Sequence, residues 1–456
     1  MPSFLIKDKY FYRQIALLAA PIAAQNIITY SVGLADNVMV GSLGEVALSG
    51  VYLANQITSF LQMMVMGFSA AMLVLATQYW GKNDGQKVKS IIGIALKFCL
   101  AVSLLLWAVV FFFPVQVLSL FGDDPAVLNA GAEYIRILCF AYPFFCLTNI
   151  LISSMRCVKS VRIGMLVSTA SLITDLFLNW VMIFGHLGFP ALGIKGAALS
   201  TLITRVLESG IMVFYVFVCD KKLKIRLSQL IAADRQILSD FFRYGFPVIA
   251  GDLMWGVNLV VQGAIVGHLG AVAISAVSIV NTVYSIVSVG IIGLREASSL
   301  MIGTAVGADD IPLVKQYART LQFIFVAAGL VTSLIVFFTR DVVLLLYPDL
   351  DAETVRVAKE LITVMAVTVL GTAYQMSSLT GIVRAGGATR FVLINDLLFV
   401  WLVVLPSSAL AAFVFRAAPW IVYACLKCDQ ILKCIVAVIK VNRFKWIKNL
   451  TRANQT

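Results

Sequence analysis

Long apolar stretches separated by short polar ones fill the whole of this chain. A bilayer core takes roughly 20 apolar residues per helical crossing. Twelve stretches of that kind are legible, at about 14–40, 48–76, 91–113, 134–155, 163–184, 196–218, 241–267, 274–303, 317–338, 358–383, 391–414 and 418–440. The composition agrees: 61% of residues are hydrophobic and only 13% charged, against about 25% charged in ordinary soluble domains. An all-α polytopic membrane protein of twelve transmembrane helices is therefore expected.

The net charge of +12 does not point to nucleic acid, because the basic residues do not form one patch. They fall in alternate loops: Lys82, Lys87 and Lys89; Arg156, Lys159 and Arg162; Lys221, Lys222, Lys224 and Arg226; Lys315 and Arg319; Arg384 and Arg390. The other loops carry Glu45, Asp123, Asp124 and Glu133, then Asp341, Asp349, Asp351 and Glu353. The excess of Lys and Arg on cytoplasmic loops places the first set, and both termini, in the cytoplasm of a cell (inner) membrane protein. The N-terminal apolar run is too long for a signal peptide and lacks a small-residue cleavage site, so it reads as a retained first helix. The tail, with Lys440, Arg443, Lys445, Lys448 and Arg452, suits anionic headgroups.

The two halves overlay. An offset of 226 residues (247 − 21) carries Pro21 onto Pro247, Gly41 onto Gly267, Gly44 onto Gly270, Asn55 onto Asn281, Gly81 onto Gly307 and Asp84 onto Asp310. Later the offset becomes 228 (384 − 156), taking Arg156 onto Arg384 and Arg162 onto Arg390. Six spans per half bring both halves in from the same side, giving two pseudo-symmetric bundles about an axis along the membrane normal, an arrangement suited to alternating access. The expected organisation is an N-terminal lobe over 1–218, a cytoplasmic linker over 219–240, a second lobe over 241–440 and a basic tail over 441–456. Gly33, Gly41 and Gly50 are small enough for helices to approach closely.

Charges within spans are costly and point to function. Asp36 lies in the first span and Asp175 in the fifth, with Asn179 four residues on and therefore on the same helix face. Ser168 and Ser171 extend that face, and Gln25, Asn26 and Thr29 stand one to three turns from Asp36. Desolvation disfavours the charged form of a carboxylate, so such a pair can take up a proton on one side and release it on the other. In the second half Gln262 replaces Asp36, and the candidates are Asp252, Asp396 and the adjacent pair Arg295 and Glu296, the pair reading as a structural contact. There is no P-loop for ATP, which leaves an ion gradient as the energy source. Cys425 and Cys428 form a CxxC without a companion motif, and read as inert thiols. His186 and His268 fall in external loops. No cofactor and no metal are expected.

These features together resemble the multidrug and toxic compound extrusion (MATE) family over nearly the whole chain. The stretch Ala35–Gly44, the repeated Ser153–Arg156 and Gly381–Arg390 segments, Ile183–Gly185 and Gly193–Thr201 carry the resemblance. It implies efflux of bulky, often cationic drug-like small molecules in exchange for protons or sodium. The proton-coupled, DNA-damage-inducible-F-like branch implies a polar network of Asp36, Asn149, Asp175, Asn179 and Thr201, with Tyr142 beside it. Some members carry Asn before Asp in span five, whereas here Asp175 precedes Asn179. The NorM-like branch carries a glutamate in span seven and an aspartate in span ten. Here Trp255 and Thr372 stand near those places, and Asp252 is the nearest substitute. Protons are therefore favoured over sodium. A lipid-linked-saccharide flippase of the same superfamily is the alternative, resting on Arg205 and Arg295 as partners for pyrophosphate. A single copy, surrounded by membrane lipids, is the expected working unit. Met63, Met64, Met66 and Phe68 would suit a repackable substrate cavity.

Overall fold

The computed structural model describes residues 5–231, 234–345, 347 and 350–452, so Asp349 lies outside the described residues. Among these residues the fold is helical. Eleven helices are long and apolar enough to cross a membrane: α1 Lys9–Gly41, α2 Glu45–Gly81, α3 Gly85–Phe112, α4 Pro125–Cys157, α5 Arg162–Phe184, α6 Ile194–Cys219, α7 Arg235–Gly267, α8 Ala271–Gly307, α9 Ile311–Leu344, α10 Ala352–Arg384 and α11 Thr389–Val414. Most run a turn or two beyond the apolar stretch, because polar residues continue the helix where the hydrophobic run stops. The chain is thus an integral membrane protein.

The twelfth expected span, 418–440, is built as two consecutive helices, α12 Pro419–Lys427 and α13 Asp429–Asn442. Each is too short to cross alone, and Lys427, Asp429 and Lys433 interrupt the apolar run. In α11 two wide, π-type turns at Val400–Val404 and Leu410–Val414 flank Pro406. Pro406 has no N–H to give the preceding turn, and such widening is a common accommodation.

The turns preserve the duplication in backbone detail. Gly44 and Gly270 share positive φ (106° and 90°), as do Asn83 and Asp309 (63° and 58°) and Lys159 and Gly387 (58° and 97°). Asp84 caps α3 by accepting from the backbone N–H of Lys87 at 3.1 Å, and Asp310 caps α9 by accepting from Leu313 at 3.0 Å. The same short sequence therefore stops one helix and starts the next in each half.

Two compact units form: residues 1–23, 77–83 and 246–456 in one, and 24–76 with 84–245 in the other. We call them the C-unit and the N-unit. The division follows tertiary contact. Gln78 is fully buried in the C-unit, where its amide donates to the Ala385 carbonyl at 3.1 Å and its oxygen accepts from the Leu450 N–H at 2.7 Å. A side chain on Gly307 would collide with the Gln78 carbonyl, so the end of α2 is held among the second-half helices. The described parts of segment 219–240 carry their own contacts. Asp220 accepts from the N–H groups of Leu223 and Lys224, Asp234 caps α7, and Gly93 of α3 lies against the Leu230 backbone. The basic tail is docked through Trp446, which is fully buried, while Arg443, Lys445 and Lys448 stay exposed.

Within the C-unit, Ala276, Ile279, Val280 and Val283 of α8 pack against Val357, Leu361, Ile362 and Met365 of α10. The i, i+3, i+4 spacing is the apolar stripe of helices that face one another. In the N-unit, α2 and α4 cross at paired glycines, where a Cβ on Gly50 would stand 2.7 Å from the Gly131 nitrogen. Of the small residues expected to allow close approach, Gly50 does so; Gly33 has nothing within 4 Å, and Gly41 meets only Leu48 at 3.9 Å.

Candidate ion-coupling site

The N-unit brings Asp36, Asp175 and Asn179 together. Asp36 lies on the last third of α1; Asp175 and Asn179 lie one turn apart on α5. The Asn179 amide donates to Asp36 at 2.8 Å and to Asp175 at 3.1 Å, so the two carboxyl groups flank one amide and feel each other's charge. Asp175 and Asn179 are each 1% exposed, whereas Asp36 is only half-buried. The span-five order of Asp before Asn is thus compatible with one amide bridging both carboxylates. Ser200 of α6 donates to the Asp175 carbonyl at 3.2 Å, fixing α6 against α5.

Around this pair the electrostatics are unbalanced. Arg205 of α6 donates to Glu208 at 2.7 Å, stacks over the Phe145 ring at 5.2 Å, and attracts both Asp36 and Asp175. Three acidic side chains therefore share one guanidinium. Two like charges so close repel unless a proton or another cation relieves them. The Asn179 carbonyl oxygen is buried with no hydrogen-bond partner, which adds an acceptor beside the carboxylates.

The other residues assigned through the resemblance lie further from the pair's chemistry. The Thr201 hydroxyl donates to the Ala197 carbonyl at 3.1 Å and meets Tyr134, a buried tyrosine that senses both aspartates. Asn149 donates to the Phe145 carbonyl of its own helix at 2.9 Å. Tyr142 is buried and its hydroxyl faces Thr58, with no close hydrogen bond. Glu208 and Tyr134 escaped the sequence reading. Glu208 carried a usable signal, an acid three residues after Arg205 inside an apolar span.

The C-unit candidates are mostly ion-paired. Asp252 accepts from Arg384 at 3.2 Å, and Arg295 donates to its neighbour Glu296 at 2.5 Å. Asp396 of α11 meets the buried Lys433 of α13 at 2.9 Å, and Lys433 also pairs with Asp429 at 3.0 Å. Gln430 beside them accepts from Thr372 at 3.0 Å and from Gln375 at 2.8 Å. Gln262 donates to Asn258 at 3.1 Å and accepts from Lys427 at 3.5 Å. The sequence reading noted Asp396 but missed Lys427, Asp429 and Lys433, although three charges inside an expected span were the available signal.

Other motifs stay outside this chemistry. Cys425 and Cys428 are unpaired thiols, and among the described residues no group of three His, Cys, Asp or Glu side chains could hold a metal ion. His186 is not simply solvated: its ring stacks on Trp180 at 4.1 Å. Met66 is 61% exposed while Phe68 is 7% exposed, so that stripe does not share one environment.

Buried carboxylates inside a duplicated helical membrane bundle define the class as a transporter. The MatE family model matches the chain twice, over residues 21–181 and 248–410, one match in each half. The chain belongs to the MATE family of transporters. It is 25% identical over 405 residues to the "Probable multidrug resistance protein YoeA" of Bacillus subtilis (strain 168), covering 87% of this chain and 86% of that protein. It is 21% identical over 450 residues to the "Probable multidrug resistance protein NorM" of Thermotoga maritima, covering 96% and 94%. Its fold matches the crystal structure of a Vibrio cholerae MATE transporter, VcmN, with a TM-score of 0.86 at 16% identity, over 96% of this chain and 98% of that one.

Proposed function

We propose that this protein is a secondary active exporter of bulky, often cationic organic compounds, driven by proton entry through Asp36 and Asp175. The bridging of both carboxylates by Asn179 at 2.8 and 3.1 Å carries this reading. Asp36, only half-buried, is the group that exchanges protons, and Asp175 is its buried partner. Protonation removes the repulsion within the pair, lets α1 and α5 repack, and weakens the hold on a cationic substrate. Arg205 keeps the pair from carrying its full charge when no proton is bound. The names of the curated relatives support drug efflux as the activity. The protein acts as a monomer in the cell membrane, with both termini in the cytoplasm.

The flippase alternative is disfavoured on chemical grounds. Each arginine it would use already has a carboxylate partner, Glu208 for Arg205 and Glu296 for Arg295. The test is uptake of a panel of organic cations into vesicles under separately imposed proton and sodium gradients. Transport that follows the pH gradient alone is expected. Transport that follows sodium alone would transfer the coupling to that ion, and transport of neither kind would end the reading.

A further inference from the structure

Glu208 lies inside the α6 span and is 5% exposed. Arg205 stands three residues before it, on the same face of the helix, and donates to it at 2.7 Å. Among the described residues this is the ion pair that Arg205 makes, and neither aspartate of the site joins it in one. The guanidinium stacks over Phe145 of α4 at 5.2 Å and acts on Asp36 and Asp175 through its field. Ser200, between one and two turns before Arg205, donates to the Asp175 carbonyl at 3.2 Å and so holds this stretch of α6 against the aspartate helix α5.

The charged and titratable groups that act on the aspartates come from four helices. They are each aspartate for the other, on α1 and α5, Tyr134 on α4, and Arg205 with its partner Glu208 on α6. Tyr142 of α4 faces Tyr134 and Thr58. An opposite charge beside a carboxylate favours its ionised form, and a like charge disfavours it. The hold of the pair on a proton therefore depends on how much of the guanidinium charge reaches it, and Glu208 draws that charge away. The C-unit has the other arrangement. Lys433 touches both of its acids, at 2.9 and 3.0 Å, and leaves neither without a base. In the N-unit the base is turned to a third acid, and the two aspartates share an amide instead.

We propose that Glu208 is a positioning residue of the coupling site: by keeping Arg205 as its own partner, it holds most of the guanidinium charge off Asp36 and Asp175 and so sets the pH at which they take up a proton. The inference rests on the reading of these aspartates as the proton-exchanging pair, and adds the residue that tunes them. Without the Glu208 charge, Arg205 favours the ionised pair, and loading needs a more acidic medium. Without Arg205, the aspartates repel each other and Glu208 unopposed, and the pair loads at higher pH. Arginine suits this place because its charge is permanent, so that what tunes the pair is where the guanidinium is held.

The test is infrared difference spectroscopy on the purified full-length protein over a pH titration, with no gradient and no substrate. The carboxyl C=O absorption that changes in Asp36→Asn and in Asp175→Asn marks the pair. Its midpoint is expected to fall by about one pH unit in Glu208→Gln and to rise by a similar amount in Arg205→Met. The double variant, which loses one charge of each sign, should return close to the wild-type midpoint. Arg205→Lys, which keeps the charge, should stay nearer the wild type than Arg205→Met. Because the two single variants move in opposite directions, either one tests the proposal if the other fails to fold. A purely structural tie between Arg205 and Glu208 would lower the melting temperature and leave the midpoint in place. Midpoints that coincide in all variants, single variants that shift in the same direction, or a pair that does not titrate would overturn the proposal. Transport plays no part in this readout. A pair that titrates as expected yet drives no efflux would refute the coupling and leave the tuning role of Glu208 standing.

Discussion

The two halves of this protein share a frame and divide the chemistry. In the N-unit, two acids on different helices meet through one amide, Asn179, with Arg205 and Glu208 alongside. In the C-unit, the acids are taken by bases: Asp252 by Arg384, and Asp396 and Asp429 by Lys433. The position equivalent to Asp36 holds Gln262, whose amide turns to Asn258 instead of to a carboxylate. A site that binds and releases protons needs acids without permanent partners, whereas a site that stays assembled needs its charges matched. The duplicated arginines make a related point. Arg156 binds the neutral Gln25 at 2.7 Å, and Arg384 binds the charged Asp252 at 3.2 Å, so the fourth helix of each half is tied to the first, through partners one repeat position apart (252 − 226 = 26).

This contrast can be broken at several places. The largest effect is expected at Asp36→Asn or Asp175→Asn, which should reduce pH-driven drug efflux to the level of cells without the transporter. Asp252→Asn should change it much less. Drug accumulation in cells expressing each variant measures the difference, and equal losses from both units would erase the proposed asymmetry.

Next in size is Lys433→Met, which leaves Asp429, 3% exposed, without its ion-pair partner. Removing one member of a buried pair costs about 3–5 kcal/mol, so a clear fall in the detergent melting temperature is expected. Adding Asp429→Asn should recover part of it. A single variant as stable as the wild type would mean that the C-unit charges are well hydrated.

Much of the candidate site was legible in the sequence. Asp36, Asp175 and Asn179 stand out because charge and amide interrupt apolar runs, and a one-turn spacing places Asp175 beside Asn179. The α1–α5 contact that completes the site spans 143 residues and follows from no local rule; only the family resemblance pointed to it. That resemblance also suggested Asn149, whose amide instead serves its own helix. Lys433 was overlooked because its partner Asp396 lies 37 residues earlier, although Lys427 and Asp429 in the same apolar stretch marked the place. The spans were legible, and the composition of the compact units was not, for one reason. Hydrophobic length is local, whereas the packing of Gln78 among second-half residues depends on tertiary contact.

A smaller effect is expected at the α2–α4 crossing in the N-unit. Gly50→Ala puts a methyl group against the Gly131 backbone, and overpacking of this kind costs about 1–3 kcal/mol. Gly33→Ala meets open space and serves as the matched control; the two melting temperatures should separate. The smallest expected change compares the duplicated arginine ties. Gln25→Ala in the N-unit removes a hydrogen bond to a charged donor, and Asp252→Ala in the C-unit removes a partly exposed ion pair. Each should cost on the order of 1–2 kcal/mol, and a much larger loss in only one would show that the tie is unequal in the two halves.

The central claim is that protons cross through the N-unit carboxylates. The most direct measurement is substrate-driven proton movement in vesicles carrying the purified protein, followed with a pH-sensitive dye as an organic cation is added. Wild type and Asp252→Asn should both show counterflow, and Asp36→Asn should show none. Counterflow that persists in Asp36→Asn and disappears in Asp252→Asn would place the coupling in the other half and contradict the division of labour drawn here.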